Sequence, residues 1–308
     1  WLAATEAPRT VTEEERMELS KIGIWTFALD LQPGARAREI AAQIEELGYG
    51  AIWIPEAMGR EAFTNAALLL SGTKRAVIAT GIASIWARDA MACAAAQKTL
   101  CEAYNDRFLL GLGVSHAPMV AVRGQQYDRP LTAMRQYLDA MDSAPFMAVP
   151  PANPPKRVLA ALHPRMLELA RERAHGSHTY FVPPEHTAWA RAQLGKDAIL
   201  AVEQTVVLET QPSQAREIAR RFMAVYLGLP NYARNLRRLG YTEEDIANGG
   251  SDRLVDAIVA WGDEEAVCRR IQAQLDAGAS HVCIQVIDPD PRALPMRQWQ
   301  RLAQALRL

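Results

Sequence analysis

The chain has 308 residues, 49% hydrophobic and 22% charged, which suits one large or two ordinary domains and excludes intrinsic disorder. Lys and Arg number 34 against 35 Asp and Glu, and the formal charge of -1 excludes the broad cationic footprint of a nucleic-acid binder. No run approaches the roughly 18 apolar residues that a membrane-spanning helix needs.

Residues 1–20 form a polar lead-in with the acidic run Glu13-Glu14-Glu15 and no signal-peptide layout. Short apolar runs then alternate with longer amphipathic ones. Residues 21–27 are β-branched and aromatic and stop before Pro33-Gly34, so they read as a strand. Residues 35–47 follow as a helix, with Ile40, Ile44 and Leu47 on one face and Gly48 as a stop. A second strand at 51–54 is closed by Pro55, and 62–70 is helical. The third strand is 75–82, followed by an Ala-rich helix at 88–104. The fourth strand, 107–114, ends in glycine, and 131–141 is a helix with Met134, Leu138 and Met141 on one stripe.

The second half begins with four prolines in residues 150–155, an extended connection. Strands are then expected at 157–162, 179–182, 198–208 and 282–287. Helices are expected at 166–174, 187–194, 213–227, 264–277 and 295–306, with shorter pieces, including 251–261, between 232 and 260. Eight strands alternating with helices call for a parallel sheet with helical crossovers. At this length an α/β fold of the (β/α)8 TIM-barrel type fits better than a doubly wound sheet. The expected layout is a single domain over 21–308, with a helical insertion between strands seven and eight. Gly111-Leu112-Gly113 lacks the third glycine of a dinucleotide-binding turn.

In such a barrel the chemistry sits on loops beyond the C-terminal ends of the strands. The polar residues there are Asp30, Glu56, Ser84, Trp86, Arg88, Ser115, His116, His163 and Asp288, with Glu203 and Gln204 inside the seventh strand. Glu56, behind the rigid Pro55, is either a site acid or a solvated loop carboxylate. His116 is either a donor over a ligand or a plain loop residue. Gly176 and Ser177 would cup an anion with their backbone amides, and His175 would lend a donor. His175 and His178 have a metal-like spacing but no carboxylate or cysteine beside them, so no metal is assigned. Trp25, Trp53 and Trp86 form either a wall around a planar ligand or packing at the barrel ends. Asp288 lies in a Pro-rich turn signal. No GxSxG elbow and no Ser–His–Asp set can be placed. Cys93, Cys101, Cys268 and Cys283 form no CxxC pair, which suits a reducing cytoplasm.

Taken in order, these pieces resemble the luciferase-like monooxygenase superfamily. The resemblance is carried by Gly23-Ile24-Trp25-Thr26, by Glu45 through Glu56 (EELGYGAIWIPE), by Ala79-Thr80-Gly81-Ile82 with Arg88, and by Arg107 through Val114 (RFLLGLGV). Pro183-Pro184-Glu185-His186-Thr187, Leu229-Pro230-Asn231-Tyr232, Leu254-Val255-Asp256-Ala257 and Ala277 through Val282 resemble an actinobacterial subfamily dependent on coenzyme F420. The resemblance implies an oxidoreductase that passes hydride between the deazaflavin C5 and a small organic substrate. It carries a cis peptide over to Gly81–Ile82, close to Ser84, and lays the ring's other edge along Gly111 to Ser115, with Gly113 and Ser115 against the cofactor. It places the phosphate loop at His175, Gly176 and Ser177, in agreement with the anion cup, and brings Glu56 to the cofactor. Any proton transfer would fall to Glu56 or His116. Ala57 stands where sugar-phosphate dehydrogenases of the superfamily carry a catalytic histidine, so that activity is not expected. A homodimer through helices of the first half is also implied. An FMN-dependent monooxygenase and a non-catalytic barrel without cofactor are the alternatives.

Overall fold

The computed structural model describes residues 19–308, so the lead-in with its acidic run falls almost wholly outside the described residues. The first half runs β1 (Ile22–Trp25), α1 (Gly34–Glu46), β2 (Ala51–Ile54), α2 (Ala62–Leu70), β3 (Val77–Thr80), β4 (Ala83–Ser84) and α3 (Ala90–Ala103). It continues through β5 (Phe108–Gly113), α4 (Ala117–Val122) and α5 (Pro130–Asp142). The second half runs β6 (Arg157–Ala160), α6 (Pro164–Arg173), β7 (Gly176–Thr179), α7 (Pro184–Leu194) and β8 (Ile199–Val207). An insertion follows with α8 (Pro212–Leu227), α9 (Pro230–Arg238), α10 (Glu243–Ile246), α11 (Asp252–Ile258) and β9 (Ala260–Trp261). The chain closes with α12 (Glu264–Asp276), β10 (His281–Val286) and α13 (Met296–Leu306).

Eight strands pair in parallel in the order β1-β2-β3-β5-β6-β7-β8-β10, and β10 pairs back onto β1. This is a closed (β/α)8 barrel, with the helical insertion between its seventh and eighth strands. No helix among the described residues is long and apolar enough to cross a membrane.

Alternation along each strand builds two cores. Trp25, Ala51, Trp53, Val77, Ala79, Leu109, Val158, Ala201 and Cys283 fill the barrel interior. Their neighbours, such as Ile24, Ile52, Ile78, Leu110 and Val202, face outward against the helices. Carboxylates cap helix starts, with Glu61 accepting from the amides of Phe63 and Thr64, and Asp89 from that of Ala92.

Two expectations need correction. The third strand does not run unbroken over 75–82, because it stops at Thr80 and re-enters as β4. The sixth strand is not 179–182 but β7, three residues earlier. Aromatic and β-branched residues just before Pro183 draw a propensity argument toward Tyr180-Phe181-Val182. The ladder instead takes the polar run Gly176-Ser177-His178-Thr179, with Gly176 level with Ile199 and Thr179 with Val202. That run is accepted because the barrel supplies partners. Ser177 Oγ donates to the Leu159 carbonyl at 2.9 Å, and His178 stacks on Trp53 with ring centroids 4.4 Å apart.

Candidate functional site at the barrel mouth

All eight strands point the same way, so their C-terminal ends form one mouth. At the end of β3, Thr80 Oγ1 donates to the Gly111 carbonyl at 2.7 Å and accepts from the Gly111 amide at 2.9 Å. The side chain thereby joins the ladder where β3 and β5 separate. The Gly81–Ile82 peptide beyond it is cis, at the position carried over from the resemblance. The chain then rejoins β5, with Ala83 level with Leu112 and Ser84 with Gly113. Gly81 and Ile82 therefore bulge at the mouth. A Cβ on Gly81 would overlap Trp25 Nε1, and one on Gly113 would lie 2.5 Å from Ile82 Cδ1. Ser115, at φ 55°, turns the chain from β5 toward α4.

Glu56 does not stand free as a site acid. Its Oε2 accepts from the Ser84 amide at 2.8 Å, and its Oε1 accepts from the Ala62 amide at 3.2 Å and from the Arg88 guanidinium. Arg88 also reaches Glu61 Oε1 at 2.7 Å. The Glu56 side chain is only 3% exposed, so this carboxylate ties the bulge to the start of α2. A cavity of about 380 Å³ opens beside the clamp, lined by Glu56, Arg60, Arg88, Met119, Val122 and Arg123 among others.

His116 sits just before α4, its ring 5.4 Å from Tyr232. Its ring makes no hydrogen bond among the described residues, and burial lowers its pKa below the ordinary value. A neutral imidazole with a free nitrogen is what a proton acceptor requires.

The anion cup is in the wrong place. His175, Gly176 and Ser177 lie at the start of β7, the end of the barrel opposite the mouth. The His175 amide donates to the Arg157 carbonyl at 2.9 Å, and its carbonyl accepts from Ile199. Its Nδ1 accepts from the Arg157 amide. These atoms are spent on the sheet and are not brought together with Gly81, Gly113 or Ser115. The cause is the three-residue misplacement of the sixth strand, which turned ladder residues into an apparent loop.

The model of the luciferase-like monooxygenase family matches residues 17–281. The chain belongs to that family. A Mycobacterium tuberculosis protein provisionally named a coenzyme F420-dependent oxidoreductase is 26% identical over 328 residues, covering 86% of this chain and 94% of that protein. The coenzyme F420-dependent tetrahydromethanopterin reductase of Methanopyrus kandleri has a TM-score of 0.74 at 17% identity, over 94% of this chain and 98% of that one. The oxygenating constituent of 3,6-diketocamphane monooxygenase from Pseudomonas putida, solved with FMN, has a TM-score of 0.66 at 17% identity, covering 92% and 96%. At these identities the structural likenesses speak for the barrel alone.

In this luciferase-like barrel the three tryptophans divide. Trp53 packs the interior and donates to His281 Nε2 at 2.9 Å, while Trp86 Nε1 donates to the Val114 carbonyl at 2.8 Å. Trp25 alone is buried with its Nε1 unpartnered among the described residues. Asp288 accepts from the Asp290 amide within its turn. On the wall opposite the bulge Tyr180, Glu203, Thr205 and Gln285 project inward; sequence reasoning collected Glu203 among the polar residues of the seventh strand and passed over the other three. Glu203 is 1% exposed and accepts from the Phe181 amide at 3.2 Å and from Thr205 Oγ1 at 2.7 Å. Burial pushes its carboxyl up to about 7. The signal was available, since strand periodicity puts Ala201, Glu203 and Thr205 on one face.

Proposed function

We propose that this luciferase-like chain is an F420-dependent oxidoreductase that moves hydride to or from a small, largely apolar organic substrate. The supporting observation is the shelf at the mouth, where the Gly81–Ser84 bulge meets Gly113 across Ile82. The shelf suits a flat tricyclic ring, because a Cβ at either glycine would fill or deform it. The buried Trp25 Nε1–H, with no acceptor among the described residues, leaves a donor beneath it. Gly81, Ile82, Ser84, Gly113 and Ser115 would hold the ring, and the Glu56–Arg88 pair holds Ser84 in place. When bound, the deazaflavin supplies or accepts the hydride at C5, while the protein supplies orientation and electrostatics. His116, neutral at pH 7, takes up or returns a proton at a ring nitrogen.

Equilibrium titration followed by fluorescence tests the reading. Micromolar binding of F420 with weak FMN binding, and no oxygen uptake, is expected. Preference for FMN with oxygen uptake would replace it by the monooxygenase reading, which the FMN complex of the Pseudomonas neighbour supports. Binding of neither leaves a barrel without cofactor. Gly113→Ala moves Ile82 onto the shelf and is expected to weaken F420 binding by about tenfold, roughly 1.4 kcal/mol, with melting little changed.

A homodimer through first-half helices and a cytoplasmic location belong to the same proposal. The first is supported by the small residues of α3 and its 57% exposed Met91, the second by four free cysteines. Sedimentation as a single 34.0 kDa species would remove the dimer.

A further inference from the structure

Opposite the glycine shelf, three separate elements converge on two hydrogen bonds. Tyr180, the first residue past β7, donates its hydroxyl proton to Gln285 Oε1 on β10 at 2.7 Å. Its oxygen lies 2.8 Å from the hydroxyl of Tyr226, which α8 of the insertion brings to the mouth. Trp25 links the two walls. Its ring centroid is 5.2 Å from that of Tyr180, and its Nε1 is the atom a Gly81 Cβ would strike. The phenols therefore stand about one indole away from the shelf.

The hydrogen inventory gives this chain of groups a direction. A phenol carries one proton, and an amide oxygen only accepts. Tyr180 spends its proton on Gln285, so Tyr226 donates to Tyr180. The Tyr226 oxygen then keeps its lone pairs, and no other described group donates to it. Burial raises the pKa of Tyr180 and of Tyr226 above the ordinary phenol value, so both stay neutral. Glu203 accepts from the Phe181 amide and from Thr205 Oγ1, and no hydrogen bond among the described residues joins it to either phenol. The surroundings are aromatic: the Phe181 ring is 5.2 Å from Tyr226, and Tyr232 meets it edge-on at 5.4 Å.

We propose that Tyr226, held by Tyr180 and Gln285, accepts the hydrogen bond of a substrate hydroxyl, so that the mouth selects apolar alcohols over the corresponding ketones. This deepens the oxidoreductase reading and rests on it. An ammonium group could also donate, but burying a cation among these rings costs far more than burying a neutral hydroxyl. A ketone has no proton to offer, and it would face the lone pairs of Tyr226 with its own.

Binding to the protein without cofactor provides the test, with cyclohexanol and cyclohexanone as probes in ligand-observed NMR competition. The wild type is expected to prefer the alcohol by about tenfold, the effect of one hydrogen bond near 1.4 kcal/mol. Tyr226→Phe is expected to abolish the preference while leaving F420 affinity and melting unchanged. Gln285→Leu removes the acceptor that polarises the pair. Tyr180 then donates to Tyr226, the Tyr226 proton turns outward, and the preference is expected to reverse toward the ketone. Equal affinities in the wild type, or a preference that survives Tyr226→Phe, overturns the proposal. Failure of F420 to bind is read in a separate titration and bears on the cofactor reading alone.

Discussion

Gly176→Ala is expected to destabilise the barrel by at least about 3 kcal/mol, seen as a lower urea midpoint, and not to act through cofactor affinity. Gly176 has φ 150°, a conformation that side chains rarely adopt. A Cβ there would overlap the Ile199 carbonyl oxygen and lie 2.6 Å from its carbon. Both atoms belong to backbone in the adjoining strand, so neither can swing aside. Relief would require β7 to part from β8, which carry some of the closure of the sheet. The anion-cup reading of the same residue expects the opposite, lost cofactor binding with an intact fold. A Gly176→Ala protein that melts like the wild type and no longer binds F420 would restore that reading.

Acid is expected to unfold the protein cooperatively between about pH 5 and 4, through three histidines. Burial holds His178 down to about 3, and His186 and His281 down to about 4, against an ordinary 6.5. Below pH 6.5 the unfolded chain binds protons that the folded chain refuses, so stability is lost as pH falls. With about 1.36 kcal/mol per unit for each group, the loss approaches 10 kcal/mol by pH 4 to 3, comparable to the whole stability of a domain. Glu203 works the other way. Its folded value of about 7 lies above the ordinary 4.5, so the folded state keeps a proton that the unfolded state releases. That erodes stability by about 3 kcal/mol as pH rises from 4.5 to 7. Three histidines outweigh one carboxyl, so stability is expected to keep rising through pH 6.5 and to level off between about pH 7 and 8. Glu203→Gln should recover most of the loss at pH 8 and leave the acid limb in place. Urea unfolding at half-unit pH steps checks both, and a flat profile from pH 6.5 to 4 would falsify the neutral imidazoles.

Much of this protein was legible in its sequence, because periodic burial is a local property. Ile40 and Ile44 mark one face of α1, Ala51–Ile54 is apolar throughout because both its faces are covered, and Pro and Gly punctuate the boundaries. Strand–helix alternation at this length then leaves few architectures besides the barrel. The glycine-ended fourth strand was visible for the same reason, whereas the break after Thr80 was not, because the apolar pattern ran the third strand on to residue 82 and only the family resemblance marked Gly81–Ile82. What the sequence left open was decided by barrel closure. Ser177 and His178 become strand residues because Leu159, Ala201 and Trp53 are there to satisfy or stack on them. Glu56 becomes a clamp because Ser84 and Arg88, from another strand end, meet both of its oxygens. Tyr180 finds Tyr226 46 positions away and Gln285 105 positions away, which no local pattern encodes. Burial leaves a period in the chain, whereas a hydrogen-bond partner across a closed barrel leaves none. The scaffold could therefore be read from the sequence, while the roles of its polar residues were set by the tertiary structure.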